Sequence, residues 1–282
     1  MTTHLKYVLH LMLIFVLGSC SSLKYLDAFD GHKNKPSKVE VTTYKVSNSK
    51  GEIEEKMAFK IVHYYDAEGR KVTSTDFKSD GTPSSGGRDY FYDKYGNLTQ
   101  MIVYMRSGSV YLETNYRYNK HGQKVEWERI RKGKKTVYKS TFDRKNRLVK
   151  RDCKDLEGRT EDRIILRFDE EWREIELTTF DNNCDQKRRI ESFYNDKGKL
   201  VLSKWYNSKD ELYEFYENIY SPDNCCDKLS KSYLVKNGEP ILKAITEENY
   251  IYDEHGNWIE KRLILDGENT WVTKRKFEYY HP

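Results

Sequence analysis

From Phe59 onward the chain alternates apolar and polar positions in short runs, broken at regular intervals by Gly, Asn and Asp. That pattern predicts half-buried β-strands joined by tight turns. Runs such as Leu98 to Met105, Ile175 to Phe180, Leu200 to Tyr206 and Ile259 to Leu265 read as strands. Each follows an aromatic residue, then Asp or Asn, then usually Gly three positions on. Copies of this motif stand at Tyr65-Asp66 to Gly69, Tyr92-Asp93 to Gly96, Tyr118-Asn119 to Gly122 and Phe142-Asp143 to Asn146. Others stand at Phe168-Asp169 to Trp172, Tyr194-Asn195 to Gly198 and Tyr252-Asp253 to Gly256, with a degenerate one at Tyr220-Ser221 to Asn224. The chain nears its end at Tyr280, where another would begin.

Successive aromatics lie 27, 26, 24, 26, 26, 26, 32 and 28 residues apart, a spacing that chance does not hold. The motif reads as a tight turn: Asp or Asn bonds back to a backbone N–H, and Gly accepts a positive φ. Asn146 can replace that Gly, whereas Trp172 is a poor substitute and predicts a distorted turn or one of another type. Half-way along each repeat lies a second turn signal, as at Ser107-Gly108, Lys132-Gly133, Glu157-Gly158, Asn182-Asn183, Asn237-Gly238 and Asp266-Gly267. Each repeat is therefore two strands and two turns, and eight repeats give about sixteen strands. The 39–62 region around Lys50-Gly51 supplies an opening hairpin. The predicted fold is all-β: an antiparallel meander of YD-type hairpins in a long twisted or curled sheet, with its terminal strands as exposed edges.

Counting back from each motif by two pairs Tyr90 with Tyr92, Tyr116 with Tyr118, and Tyr250 with Tyr252, while Arg117 and Thr141 fall between. One face is thus an aromatic stripe, a candidate core or binding surface, and the other is largely wet. Tyrosine, at 23 residues, dominates the aromatics and suits such a surface, because its ring packs while its hydroxyl reaches water. Hydrophobic residues are only 37% of the chain and charged ones 34%, so the core must be thin.

The unit Tyr90-Phe91-Tyr92-Asp93-Lys94-Tyr95-Gly96-Asn97-Leu98 resembles the YD (Rhs) repeat, as does Tyr250-Ile251-Tyr252-Asp253-Glu254-His255-Gly256-Asn257-Trp258. The resemblance covers about residues 59 to 282 and extends to small Rhs-repeat lipoproteins. It is specific for architecture. In large members the repeats enclose a toxin or present an adhesive rod; this chain is much shorter and lacks a toxin-like domain.

Ahead of the repeats, Lys6, the apolar run Tyr7 to Leu17 and the small residues before Cys20 have the layout of a secretory leader over residues 1–19. The run is about ten residues, whereas a spanning helix needs roughly 20. Leu17-Gly18-Ser19-Cys20 resembles the lipobox of bacterial lipoproteins, which implies cleavage before Cys20, acylation of its sulfur and a membrane anchor that does not span. Residues 20–38 read as a flexible tether and 39–282 as the repeat domain. The address is the cell envelope, and Ser21 rather than Asp after the acylated cysteine leans toward the outer membrane.

The net charge of +5 is spread without a basic block, which argues against nucleic acid; Arg129 to Lys135 reads as a solvated hairpin tip. His121 and His255 occupy the same position before the turn Gly and read as wet tip residues, so no metal or other cofactor is expected. The motif carboxylates serve turn capping better than calcium. Cys153 and Cys184 lie beside adjacent half-repeat turns and are a candidate disulfide; Cys225 and Cys226 are either free or a strained ring. No nucleophile elbow, phosphate loop or dinucleotide fingerprint is present, and no enzyme is expected. The function that follows is a lipid-anchored envelope scaffold binding a glycan or an envelope or surface protein. The alternative is an assembly protein acting through strand addition, and a third reading is an envelope hydrolase.

Overall fold

The computed structural model describes residues 32–49, 52–154, 160–181, 183, 185–221 and 228–280. The strands are β1 (Pro36–Ser49), β2 (Glu52–Tyr65), β3 (Lys71–Lys78), β4 (Arg88–Tyr92), β5 (Leu98–Tyr104), β6 (Val110–Tyr118), β7 (Lys124–Arg131), β8 (Lys134–Asp143) and β9 (Leu148–Lys154). They continue as β10 (Thr160–Phe168), β11 (Glu174–Phe180), β12 (Gln186–Tyr194), β13 (Leu200–Tyr206), β14 (Leu212–Tyr220), β15 (Lys228–Lys236), β16 (Glu239–Tyr252), β17 (Trp258–Leu265) and β18 (Glu268–Tyr279). Eight two-stranded repeats occupy β3 to β18, and the opening hairpin is β1–β2. That hairpin starts at Pro36, inside the stretch expected to be tether, and His32 is already buried.

Each strand pairs antiparallel with the next, and β1 also pairs with β18, setting Val39 opposite Phe277 and Thr43 opposite Thr273. The sheet is therefore a closed eighteen-stranded barrel, not an open curled sheet, and the terminal strands are a seam rather than edges. The repeat motif itself supplies the curl that closes it. Register shifts fall at Tyr64/Tyr65, Phe91/Tyr92, Arg117/Tyr118, Arg167/Phe168, Phe193/Tyr194 and Ile251/Tyr252, so the motif aromatic of most repeats sits at a β-bulge. Each bulge bends its strand and adds twist.

The motif turns all join an even strand to the next odd one and form one rim, here the motif rim; the half-repeat turns form the other. Lys132-Gly133, Asn237-Gly238 and Asp266-Gly267 are two-residue turns with positive φ at both positions, the hairpin type that matches strand twist. Arg129 to Lys135 forms one of these tips, as expected.

The face that carries the motif aromatics is the crowded one. Val39, Thr43, Ser74 and Thr114 on it are 0, 2, 0 and 3% exposed. Side chains converge on the concave side of a barrel and splay on the convex side, so this is the lumenal wall. The outer wall carries ion pairs along the strands, including Arg117–Glu126 at 3.0 Å, Lys135–Glu128 at 2.7 Å, Arg163–Asp152 at 2.7 Å and Lys274–Glu55 at 2.6 Å. A lipid-facing barrel wall presents an apolar band, and a Lys or Arg at its midplane costs about 2–4 kcal/mol. The ion pairs along this wall are the opposite of such a band. A round ring of eighteen strands measures roughly 35 Å between backbones, too wide for side chains to fill. Accordingly only ten apolar side chains among the described residues are buried, Pro36 included.

Candidate binding surface on the lumenal wall

At the motif rim the turn acid organises its own loop. Asp93 Oδ1 accepts from the backbone N–H groups of Tyr95 (2.8 Å) and Asn97 (2.9 Å), and Oδ2 accepts from the Asn97 side chain (2.9 Å). Burial works to raise the Asp93 carboxyl, but these bonds hold it below its ordinary value. Asp66, Asn119, Asn195 and Asp253 repeat the backbone pattern, with Gly69, Gly96, Gly122, Gly198 and Gly256 all at positive φ. Turn capping thus occupies these side chains.

Two turns depart from expectation. Trp172 adopts φ 60° and keeps the standard bonds, its N–H reaching Asp169 O at 3.2 Å and the Arg173 N–H reaching Asp169 Oδ1 at 2.8 Å. The expected distortion does not occur, because Asp169 and Arg173 fix the loop from both ends. Asn146, by contrast, does not take the positive φ. Arg147 does (49°), and Asn146 bonds Asp143 through its N–H and side chain. There β8 and β9 pair as far as Asp143 and Leu148 without a bulge.

Four of the motif tyrosines stitch their repeat to the one before it, while Phe142 and Phe168 have no hydroxyl to do so. Tyr92 donates to Lys71 O (2.6 Å), Tyr118 to Leu98 O (2.9 Å), Tyr194 to Glu174 O (2.8 Å) and Tyr220 to Leu200 O (3.0 Å). A cation from the preceding turn covers the ring in several copies, as Arg70 does over Tyr92 and Arg173 over Tyr194. Tyr92 and Tyr118 are thereby committed to the fold. Tyr90, Tyr116 and Tyr250, one step further from the rim, belong to the half-buried lumenal wall; Tyr90 lies 3.4 Å from Ser74 Oγ, and Tyr252 lies beside Tyr250 at 6.3 Å between centroids.

Deeper in the wall, ring and cation alternate. Trp127 stacks on Tyr138 (centroids 4.8 Å, planes 4° apart), with Arg151 and Lys124 at 4.7 and 5.3 Å from the Trp127 ring. Arg188 covers Trp205, Lys261 covers Tyr250 and Arg275 covers Trp258. These mid-wall groups were missed in the sequence because cross-strand register, not local pattern, brings Trp127 opposite Tyr138.

Acids punctuate the wall. Glu248, 3% exposed, lies 3.0 Å from Lys261, 3.3 Å from Lys228, and accepts from the Tyr250 hydroxyl at 2.8 Å. Burial pushes its carboxyl up, but the two ammonium groups outweigh that and hold it below its ordinary value. Burial pushes Glu174 up to about 7, against the pull of Arg151. Glu214 pairs with Lys243 at 2.9 Å.

A further recess of about 510 Å³ lies beside the β3–β4 connection, between Phe59, Ile61, Asp76, Lys78 and Arg88. Asp76 and Arg88 form a two-point ion pair across it (3.2 and 2.6 Å). The Gly/Ser/Pro stretch from Ser79 to Gly87, longer than the other described half-repeat connections, was the available signal for it.

His121 and His255 are exposed at motif turns, His255 edge-on to Tyr279. Cys20, Cys184, Cys225, Cys226 and the side chain of Cys153 lie outside the described residues, as does the turn after Tyr220-Ser221. Among the described residues no cluster of three metal-ligating side chains occurs, and no helix is long and apolar enough to cross a membrane.

No protein-family model and no curated protein matches the chain, so the YD-repeat resemblance rests on its motif residues. Among solved structures, a porin-like protein from Bacteroides uniformis ATCC 8492 is 10% identical, with 88% of this chain and 98% of that one covered at a TM-score of 0.33. A porin-like protein from Bacteroides vulgatus ATCC 8482 is also 10% identical, with 86% and 98% covered and a TM-score of 0.37. The closed barrel described above rests on the strand pairing itself.

Proposed function

We propose that the protein is a lipid-anchored, non-enzymatic barrel of the cell envelope that binds glycan along its lumenal wall. The observation that carries this reading is a half-buried wall of rings interleaved with cations and acids, lining a barrel too wide to be a packed core. Ring faces pack against the C–H faces of sugars, and charged neighbours take the hydroxyls. The anchor follows from the leader and from Leu17-Gly18-Ser19-Cys20. Strand addition at the chain's ends loses its basis, since β1 and β18 occupy each other's edges.

The test is a thermal-shift and calorimetry screen of the mature chain against soluble envelope and host glycans. A binding glycan is expected to raise the midpoint, and Trp127→Ala to weaken binding about tenfold, while Phe91→Ala on the outer wall leaves it unchanged. If no glycan protects the protein, or if both variants weaken binding equally, the lumenal reading falls, and a co-purified envelope protein becomes the ligand to seek.

A further inference from the structure

The motif rim has a property that the turns and stitches do not use. The residue just before each motif aromatic points outward, and in five of the nine even-numbered strands it is large and apolar or aromatic: Tyr64, Phe91, Phe193, Ile219 and Ile251. These are 42, 45, 41, 53 and 50% exposed, and Tyr95 at the adjacent turn tip is 71% exposed. Two residues further from the rim on the same outer face stand Val62, Asp89, Glu191, Glu217 and Asn249, four of them polar. The belt is therefore a single residue deep, below a wall of ion pairs.

The chain toward Cys20 leaves from this same rim. His32 packs its ring against Tyr65 and Phe277 (centroids 5.6 and 5.2 Å), and the Lys33 N–H donates to Asn257 Oδ1 at 2.7 Å. Cys20 lies twelve positions before His32, a reach of at most roughly 40 Å. That is long enough for a tether alone to leave the barrel's orientation open. The belt resolves it: it is an arc running from β12 through the seam to β4, interrupted by Arg117, Thr141 and Arg167 on β6, β8 and β10, and it carries exposed aromatic rings, whereas the exposed large apolar residues of the opposite rim (Ile53, Met105, Val110, Ile241 and Leu242) are all aliphatic. A shallow arc of aromatic and aliphatic side chains matches the headgroup region of a bilayer, which admits such groups to a depth of about 5–10 Å.

We infer that the barrel stands motif rim down on the lipid surface, its belt of Tyr64, Phe91, Phe193, Ile219 and Ile251 seated in the headgroup layer and its opposite rim open to water. This rests on the proposed anchor at Cys20. The charged outer wall limits the contact to the rim and prevents deeper insertion.

The test is hydroxyl-radical footprinting of the acylated protein on phosphatidylethanolamine/phosphatidylglycerol vesicles, compared with the Cys20→Ser mature chain free in solution. Oxidation of Tyr64, Phe91, Tyr95 and Phe193 is expected to fall about fivefold on vesicles, with Ile53 and Leu242 at the opposite rim unchanged. Equal oxidation at both rims, or protection at the opposite rim, overturns the inference. The mass of the amino-terminal peptide separates the two readings: an unacylated Cys20 removes the anchor, whereas an acylated Cys20 with an unprotected rim removes the seating alone.

Discussion

Closure between β1 and β18 can be tested by a covalent bond that an open sheet could not form. Thr43 and Thr273 are direct cross-strand partners, Thr43 is 2% exposed, and their hydroxyl oxygens are 3.1 Å apart. Replacing both with cysteine, Thr43→Cys with Thr273→Cys, should give a disulfide under mild oxidation, because directly opposed β residues bring their Cβ atoms within bridging range. The bridge closes a loop of about 230 residues, for which chain entropy alone predicts roughly 5 kcal/mol of stabilisation, an upper bound once strain and the lost hydroxyl contact are subtracted. A gain of about 2–4 kcal/mol is expected. Peptide mapping identifies the bridge against Cys153, Cys184, Cys225 and Cys226, and denaturant unfolding of oxidised and reduced forms gives the energy. Absence of the bridge in the folded protein would refute the closed barrel, whereas a bridge that forms with a smaller gain would report strain at the seam.

Three further outcomes follow from individual side chains. Glu248→Gln should cost about 2–3 kcal/mol at pH 7, since Lys228 and Lys261 lose their buried counter-charge. The folded Glu248 value is depressed, so its contribution is present above the unfolded value and fades as pH falls through the folded one. Unfolding curves of wild type and variant should therefore converge only as pH falls below the ordinary carboxylate range. Glu174 has the opposite sign: its folded value of about 7 means that ionisation above neutrality is destabilising and that the penalty vanishes below the unfolded value. Glu174→Gln should then be more stable than wild type by about 1–2 kcal/mol at pH 8 and equal to it near pH 4, with an equal effect at both pH values counting against burial as the cause. Lys132→Asn should raise the unfolding free energy by about 0.5 kcal/mol, read from denaturant curves, because Asn tolerates the left-handed φ that Lys132 adopts before Gly133.

Much of the fold could be read locally. The motif spacing gave eight repeats and an opening hairpin, which the eighteen strands match, and the parity of Tyr90 with Tyr92 placed both on one face. Closure could not be read, because Val39 and Phe277 alternate like any other strand residues and nothing near either marks the other as its partner. Turn chemistry was legible as far as the acid that caps the loop. Residue preference for positive φ misplaced the detail at Asn146 and Trp172, where side-chain bonds to Asp143 and Asp169 decide the conformation. The same limit applies to the site. Tyr116 and Tyr118 were visible as a stripe, yet the division of labour between a stitching Tyr118 and a wall of Trp127, Tyr138 and Arg151 depends on which strands lie side by side.

The seam also sets the order of events during folding. Each strand finds its sequence neighbour as soon as that neighbour is made, whereas the second edge of β1 waits until β18 has been made. Throughout that interval β1 and the newest strand present unpaired backbone to any neighbour, the state in which β proteins aggregate or exchange strands. Loss of β18 alone would thus leave a nearly complete array with two open edges, on β1 and β17.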